Sequence, residues 1–355
     1  MKPSKLLFTV PLLALLAASP LFGFPLSKVL NTPTTRPTAP VETFSAEDQP
    51  IDLRGATGQT ADWLKAFDIK AGKFNYTLQL TDQNAYVSVY RLVYDSPFKS
   101  PFPENNVVPA ELYLPRNARG KVPASIVLDI MAGNAILARG MSRGLAENGI
   151  AAVYVPMAYY NERRPKDMTH IKIFDTDPTR AVDALRQTVM DIRRAKAILA
   201  SRAEIDPARI SITGISLGGI MTSLAAGVDG SFYRVVPILA GGNIAELVFH
   251  TRETRKLSAE LTARGVTVDD LAKMLAPVEP THFASRIDPK RCLMINASSD
   301  EVIPRLATEA LNKAIGSPEM LWAPSGHYSA IIYLPAIRQT AIRFLNGQPV
   351  DKIEY

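Results

Sequence analysis

The sequence predicts an α/β protein whose central sheet is mostly parallel and carries helices on both faces. Two observations support this prediction. Strand-like segments alternate along the chain with segments of helical periodicity, and the central strand-like segments are apolar throughout, as in a sheet that is buried on both faces. The 355 residues, of which 47% are hydrophobic, are enough for one large domain with a sizeable core.

The predicted elements follow one another from about residue 85. Apolar alternation or continuous apolarity predicts strands over residues 85–96, 111–115, 124–130, 150–156, 209–215, 234–240, 291–297 and 320–324. Helical periodicity predicts helices over residues 136–149, 179–202, 217–228 and 329–346. Ligands of such sheets bind at the carboxyl ends of the strands, so the loops that follow the strands are where a site is expected.

A helical insert is expected before the penultimate strand. About 50 residues separate the strands predicted over 234–240 and 291–297, and within them residues 243–285 have helical composition. The insert lies over the carboxyl edge of the sheet, so it is either a lid or substrate wall, or a plain pair of covering helices.

Aromatic and basic side chains follow the strand predicted over 150–156. They either line a pocket, where they would bind a carboxylate or a sugar, or pair with acids of the framework. These candidates are Tyr159, Tyr160, Arg163 and Arg164.

The N-terminus has the layout of a secretory signal, with two lysines before an uncharged stretch over residues 6–26. That stretch is also long enough to span a bilayer, so residues 1–26 are either a signal peptide or a membrane anchor. Residues 27–50 are rich in Pro and Thr, which predicts a linker before a catalytic domain over residues 51–355. We therefore expect export to the periplasm or the medium, or a membrane-anchored protein with its domain outside the cytoplasm.

Charge and cysteine content narrow the class of function. The chain has 40 Lys and Arg against 34 Asp and Glu, a formal net charge of +6, and no basic stripe interleaved with aromatic residues. Nucleic acid is therefore not an expected partner. The single cysteine, Cys292, excludes an intramolecular disulfide, and its apolar surroundings predict a core residue rather than a catalytic thiol.

The segment "ITGISLGGIM" places a serine between glycines, where a β-branched strand gives way to a helix. The motif Gly-Ile-Ser-Leu-Gly, centred on Ser216, is typical of a nucleophile elbow, in which the serine hydroxyl projects above the sheet edge. The backbone N–H of Leu217, at the helix start, can donate to an oxyanion. The alternative is a serine that caps a helix in a glycine-rich turn.

One histidine lies where a general base for Ser216 is expected. His327 follows a late strand in a short loop, and the preceding Gly326 leaves room for its ring. The other histidines are expected to be surface or capping residues, and they are His170, His250 and His282.

The candidate acid follows the strand predicted over residues 291–297. Asp300 stands where that strand ends, and the side chain of the adjacent Glu301 is expected to point away from the histidine. The chain order is therefore Ser216, Asp300, His327, which differs from the two other common orders of serine-hydrolase triads.

From about residue 86 to its C-terminus, the chain resembles the α/β-hydrolase superfamily. Within it, the resemblance is to the esterase branch near dienelactone-hydrolase-like, acetyl-xylan-esterase-like and prolyl-oligopeptidase-like catalytic domains. The segments "EIDPARISITGISLGG", "INASSDEVIP" and "SGHYS" stand where that branch carries its nucleophile, acid and base. The resemblance implies an α/β-hydrolase fold and no metal or organic cofactor.

One segment departs from that branch, which usually carries His-Gly after the third strand. This chain has "LDIMAGN" there. A backbone N–H from Met131, Ala132 or Gly133 can still complete the oxyanion hole, and Met131 is the first choice. Asp129 would be unfavourable beside an oxyanion, so its alternative role is to anchor the loop.

The function expected from these residues is a serine hydrolase that cleaves a carboxylic ester of a small molecule or carbohydrate through an acyl-enzyme. Two alternatives stay open. One is a serine peptidase of the prolyl-oligopeptidase-like type. The other is a non-catalytic, membrane-anchored binding protein on a hydrolase scaffold, for which the departure at "LDIMAGN" is the support.

Overall fold

The computed structural model describes residues 39–131, 134–166, 173 and 177–354. The predicted signal or anchor over residues 1–26 and the first part of the predicted linker lie outside the described residues. Within the described part of the chain, none of the helices is long and apolar enough to cross a membrane.

The strands of the described chain form one sheet. In chain order they are β1 (Glu42–Asp48), β2 (Gly72–Gln83), β3 (Val87–Asp95), β4 (Val107–Pro115), β5 (Val122–Leu128), β6 (Ala151–Tyr154), β7 (Ile205–Ile215), β8 (Val235–Ile238), β9 (Leu293–Ala297) and β10 (Glu319–Ala323). Their order across the sheet is β1-β2-β3-β4-β6-β5-β7-β8-β9-β10. The pairs among β5 to β10 are parallel, and β1 to β4 extend the sheet antiparallel on one side.

Helices cover both faces of the sheet, as predicted. They are α1 (Gly58–Lys65), α2 (Ile136–Glu147), α3 (Pro178–Ser201), α4 (Leu217–Asp229), α5 (Ile244–His250), α6 (Arg255–Ala263), α7 (Val268–Leu275), α8 (Arg305–Ile315) and α9 (Leu334–Leu345). Alternate residues of β5 belong to two apolar clusters: Ile126 and Leu128 pack with α3 and α4, whereas Val127 packs with α2 and α9. Because side chains alternate across a strand, these clusters lie on opposite faces of the sheet.

The N-terminal boundary of the domain differs from the prediction. The linker was predicted to reach residue 50, but β1 lies within it and pairs along its whole length with β2, from Glu42 opposite Leu78 to Asp48 opposite Gly72. An edge strand needs only one apolar face, and its polar composition resembles a linker in the sequence. The sheet therefore begins at residue 42, before the predicted start at residue 51.

The basic and aromatic side chains after β6 divide between the two roles that the sequence left open. Arg163 is fully buried and pairs with Asp191, which is also fully buried, at 2.7 Å. Its guanidinium also donates to the backbone carbonyl of Asn105 at 2.8 Å, so Arg163 belongs to the framework. Arg164 and Tyr160 instead line a cavity of about 580 Å³ beneath the insert.

The cysteine and the insert occupy the places predicted for them. Cys292 is 1% exposed, and burial raises the pKa of its thiol, as for a residue of the core. The insert forms α5, α6 and α7 between β8 and β9. Side chains of α5 line a cavity that reaches Ser216, so the insert forms one wall of the site rather than only a cover.

Candidate active site

Ser216 occupies the turn between β7 and α4. Its backbone has φ 56° and ψ −119°, a conformation that is unfavourable for a residue with a side chain. The Ser216 N–H donates to the carbonyl of Ile238 in β8 at 2.8 Å, which ties the turn to the neighbouring strand. The hydroxyl is thereby held at the carboxyl edge of the parallel strands, as the nucleophile-elbow prediction requires.

The glycines around Ser216 are required by close backbone contacts. A Cβ on Gly218 would lie 2.6 Å from the carbonyl oxygens of both Leu128 and Asp129, and one on Gly219 would lie 2.5 Å from the carbonyl oxygen of Ile238. Atoms do not approach a Cβ so closely without displacement. The motif therefore allows α4 to begin directly against β5 and β8.

Replacing Gly218 with alanine should destabilise the domain by about 1–3 kcal/mol and lower its hydrolytic activity, because the added methyl group displaces the backbone beside Ser216. Chemical denaturation and kcat/KM on an ester measure the two effects. Gly72→Ala is the matched control, since a Cβ there meets nothing within 4 Å. Equal stability and activity in both variants would contradict this role of Gly218.

The structure brings Ser216, His327 and Asp300 into contact. The His327 Nε2 atom lies 2.9 Å from the Ser216 hydroxyl oxygen. The Nδ1 atom of the same ring lies 2.8 Å and 3.0 Å from the two carboxylate oxygens of Asp300. The side chains of His327 and Asp300 are 10% and 4% exposed, so the hydrogen bonds between them are shielded from water.

The backbone holds Asp300 in position. Its Oδ1 atom accepts hydrogen bonds from the N–H groups of Val302 at 2.9 Å and Ile303 at 2.7 Å. These bonds orient the carboxylate toward His327. The loop after β9 thus presents an acid in fixed geometry.

Glu301 has a function that the sequence did not reveal. Its Oε2 atom accepts the backbone N–H of His327 at 2.8 Å. Although partial burial raises the pKa of Glu301, hydrogen bonds from backbone N–H groups, with that of His327 foremost, lower it overall. The Glu301 side chain thereby fixes the loop that carries the His327 ring.

The two other histidines that the structure describes, His250 and His282, make contacts away from Ser216. The Nδ1 atom of His282 lies 2.9 Å from the carbonyl oxygen of Ala276, and its ring stacks on Trp63. His250 is exposed, 3.1 Å from a carboxylate of its own helix. His170 lies outside the described residues. Among residues 39–354, apart from the gaps given above, no cluster of three or more His, Cys, Asp or Glu side chains could hold a metal ion.

The two candidate oxyanion donors, Leu217 and Met131, both line the small space beside Ser216. Leu217 is the first residue of α4, and the first N–H groups of a helix have no partner within it. Met131 lines the same cavities as Ser216. The use of its N–H as a donor stays a prediction, and its alternatives Ala132 and Gly133 lie outside the described residues.

Asp129 anchors the loop after β5. Its side chain is buried, and its Oδ2 atom accepts the N–H of Ala135 at 2.9 Å. Burial raises the pKa of this carboxyl, although hydrogen bonds from backbone N–H groups oppose the shift. The acid at this position therefore fits the anchoring role that the sequence allowed.

Ser216 lies between two cavities of different size. One, the histidine cavity, has a volume of about 210 Å³ and includes His327 in its wall. The other, the small cavity, has a volume of about 50 Å³ and is lined by Leu217 and by apolar residues of α5. A third, the basic cavity of about 580 Å³ described above, lies beneath the insert.

One contact links the insert to the histidine loop. The Tyr328 hydroxyl donates to the carboxylate of Glu253, which lies between α5 and α6 and lines all three cavities. This bond and burial raise the pKa of Tyr328 to about 12, with burial the larger cause. The sequence held no signal for this pair, because 75 residues separate its members.

The mixed sheet, the strand-to-helix turn at Ser216 and the contacts of Ser216, Asp300 and His327 define an α/β-hydrolase domain. A sequence model of the family described as alpha/beta hydrolase domain containing 18 matches residues 57–256, which is more than half of the chain. The chain belongs to that family. Among curated protein sequences, none matches the chain.

Solved structures with the same fold cover nearly the whole chain. Acetyl xylan esterase 1 from Thermoanaerobacterium sp. JW/SL YS485 is 17% identical, with a TM-score of 0.62 over 91% of this chain and 98% of its own. The acetyl xylan esterase from Paenibacillus sp. R4 is 19% identical, with a TM-score of 0.63 over 92% of this chain and 100% of its own. At these identities the similarity shows the fold.

Proposed function

We propose that the protein is a serine hydrolase that cleaves carboxylic esters through an acyl-enzyme. The observation that carries this proposal is the continuous hydrogen-bond chain from the Ser216 hydroxyl through His327 to Asp300, with distances of 2.9 Å and 2.8 Å. A nucleophile, a base within reach of its proton, and an acid that orients the base are the parts that acyl transfer needs.

In the first half of the reaction, the Ser216 oxygen attacks the ester carbonyl carbon and His327 Nε2 takes the hydroxyl proton. Asp300 holds the proton on Nδ1 and stabilises the imidazolium. The N–H of Leu217, with that of Met131 as the proposed second donor, stabilises the tetrahedral oxyanion. The intermediate collapses as His327 returns its proton to the leaving alcohol.

In the second half, a water molecule replaces the alcohol. His327 takes one of its protons as the water oxygen attacks the acyl carbon, and the same oxyanion donors stabilise the second tetrahedral intermediate. Collapse releases the carboxylic acid and returns the proton to Ser216. No atom of the protein is consumed, so the cycle turns over with an ester and water alone.

The two alternative functions make different demands on the site. A peptidase must expel an amine, whereas an esterase expels an alcohol. A binding protein has no need of a serine within hydrogen-bond reach of a base, so the triad geometry favours an enzyme over a binding protein.

A matched ester and amide test the proposal. We expect turnover of p-nitrophenyl acetate, and a kcat/KM for p-nitroacetanilide, which differs in the scissile bond, that is lower by at least 100-fold. Comparable values for the two substrates would favour the peptidase. Absence of turnover of both acetyl substrates and of p-nitrophenyl butyrate, with an intact fold, would favour the binding protein.

We also propose that the protein acts outside the cytoplasm, because two lysines precede the uncharged residues 6–26. Fractionation with N-terminal sequencing tests this proposal. A shortened chain in the periplasm or medium indicates a cleaved signal, and the intact N-terminus in the membrane fraction indicates an anchor. Full-length protein free in the cytoplasm would contradict both.

A further inference from the structure

The two cavities beside Ser216 differ in their relation to the base. His327 is part of the wall of the histidine cavity, whereas the small cavity is lined by Leu217 and by residues of the insert and not by His327. During the proposed reaction, the leaving oxygen must receive the proton held on His327 Nε2, so the alcohol portion lies on the side of that ring. The acyl group then extends into the small cavity.

The small cavity limits the size of the acyl group. Its volume of about 50 Å³ is well below the ~150 Å³ of an apolar cavity that accommodates benzene. Its walls include Ile220, Ile244 and Val248, which are each less than 5% exposed and belong to the main apolar cluster. Enlarging such a packed wall costs free energy. Past Met131, Glu253 and Thr254 the small cavity meets the basic cavity. The charged side chains there, Arg164, Arg252 and Lys256 among them, disfavour an apolar acyl chain longer than a few carbons.

The histidine cavity, in contrast, continues into an apolar groove. Four residues line both spaces, and they are Leu137, Ile215, Ile331 and Leu334. The groove has a volume of about 200 Å³ and is also lined by Gly140, Pro335 and Arg338. An apolar chain laid along it would bury one side against Leu137, Ile331 and Leu334.

Gly140 keeps the groove open. It lies inside α2, where glycine is less favourable than alanine, so the helix itself gives no reason for a glycine. A Cβ at this position would meet nothing within 4 Å, which means that the space beside it is empty. A larger side chain at residue 140 would therefore fill the groove without displacing the backbone.

We propose that the site selects esters with a short acyl group and an extended apolar alcohol, whose chain lies along the groove beside Gly140. This selectivity rests on the proposed serine-esterase function. It assigns the acyl group to the small cavity, and the alcohol to the histidine cavity and the groove that continues it.

Octyl acetate and ethyl octanoate test the assignment, because they are isomers in which the lengths of the acyl group and the alcohol are exchanged. We expect kcat/KM to rise from ethyl acetate to octyl acetate by about fourfold for each buried methylene until the groove is filled. We expect it to fall from ethyl acetate to ethyl octanoate. Octyl acetate should exceed its isomer by at least tenfold, and equal or reversed values would overturn the proposal.

Gly140→Leu tests the groove directly. It should lower the ratio of kcat/KM for octyl acetate over ethyl acetate at least tenfold, and Gly140→Ala should lower the ratio less. Glu147→Leu, which adds the same side chain at the exposed end of α2, is the matched control and should keep the wild-type ratio. An unchanged ratio in a folded Gly140→Leu protein, as judged by its melting temperature, would overturn the role of the groove.

Val248→Ala tests the acyl side, because it enlarges the small cavity. The ratio of kcat/KM for ethyl butyrate over ethyl acetate should rise at least threefold, with no comparable rise for Gly140→Ala. A ratio that stays constant in a folded Val248→Ala protein would contradict the acyl assignment.

A binding measurement separates this proposal from the proposed activity. Titration calorimetry on the Ser216→Ala protein, which does not require hydrolysis, should show octyl acetate bound at least tenfold more tightly than ethyl octanoate. Adding Gly140→Leu should remove the difference. Equal affinity for the isomers would overturn the selectivity even if both are hydrolysed, whereas the expected difference without any hydrolysis by the wild type would refute only the esterase function.

Discussion

Replacing Ser216 with alanine should lower kcat for ester hydrolysis on the order of 10³-fold or more and leave the fold intact. The variant lacks the oxygen that forms the acyl-enzyme, so the covalent route is closed. Alanine meets the same unfavourable φ of 56° as serine, and its methyl group fits where the serine Cβ lies. The free energy of unfolding should therefore change by less than about 1 kcal/mol.

The measurement is kcat and KM on p-nitrophenyl acetate, with the melting temperature of each protein. Ser258→Ala is a matched control, because its hydroxyl donates to the carbonyl of Arg255 in its own helix, α6, and Ser258 lines none of the three cavities named above. Ser258→Ala should keep wild-type activity. A Ser216→Ala protein that turns over at close to the wild-type rate would show that the nucleophile is another group.

Removal of the base should lower kcat about as much as removal of the nucleophile does. His327→Ala should lower kcat on the order of 10³-fold or more, because Ser216 then has no partner to take its proton. Asp300→Asn should lower kcat somewhat less than His327→Ala does. The amide oxygen can still accept the N–H groups of Val302 and Ile303, but its NH₂ then faces His327 and disfavours the required tautomer.

The losses of activity caused by these substitutions should not be additive. Because the groups act as a unit, the double variant Ser216→Ala/His327→Ala should be no slower than Ser216→Ala alone within about threefold. His282→Ala and His250→Ala serve as controls and should retain activity, since the His282 ring contacts the carbonyl of Ala276 and the His250 ring a carboxylate of its own helix. Loss of activity in either control while His327→Ala stays active would contradict the assignment of the base.

The pH profile gives a further measure of the base. His327 accepts the serine proton only when its ring is neutral, so kcat/KM should fall as the solution is made acidic. The fall should vanish from the residual activity of His327→Ala. An acid limb that persists unchanged in the residual activity of His327→Ala would count against His327.

The sequence predicted the parts of this molecule that local chemistry determines. The elbow at Ser216 is such a part, because a strand, a serine between glycines and a helix occupy one short segment whose backbone can adopt few arrangements. Chain order then limited the partners, since an acid and a histidine after late parallel strands must meet at the same edge of the sheet. The structure places both residues there: His327 contacts Ser216, and Asp300 contacts His327.

Features that depend on distant contacts were not predictable. β1 is stabilised by pairing with β2 and by the ion pair between Asp48 and Arg194, which lies 146 residues away, rather than by its own apolar pattern. The bond between Tyr328 and Glu253 likewise joins two segments that only the fold brings together. Glu301 was predicted to point away from His327, but its bond to the backbone of the histidine loop follows from three-dimensional geometry alone.

The cavities, too, were predictable only in part. Composition predicted an insert over the site, and in the structure residues of the insert line a cavity beside Ser216. The volume of the small cavity, however, depends on how Ile220, Ile244 and Val248 pack against one another, which no local pattern encodes. Gly140 was an ordinary helix residue in the sequence, and only the open space beside it indicates a role in selecting the alcohol.

Fluorophosphonates react with a serine hydroxyl whose proton a neighbouring base removes. Labelling the wild-type protein and locating the adduct by mass spectrometry therefore shows whether Ser216 is an activated nucleophile. We predict one adduct, on Ser216, that is absent from Ser216→Ala and strongly reduced in His327→Ala. An unlabelled folded protein, or an adduct on another residue with Ser216 unmodified, would contradict it.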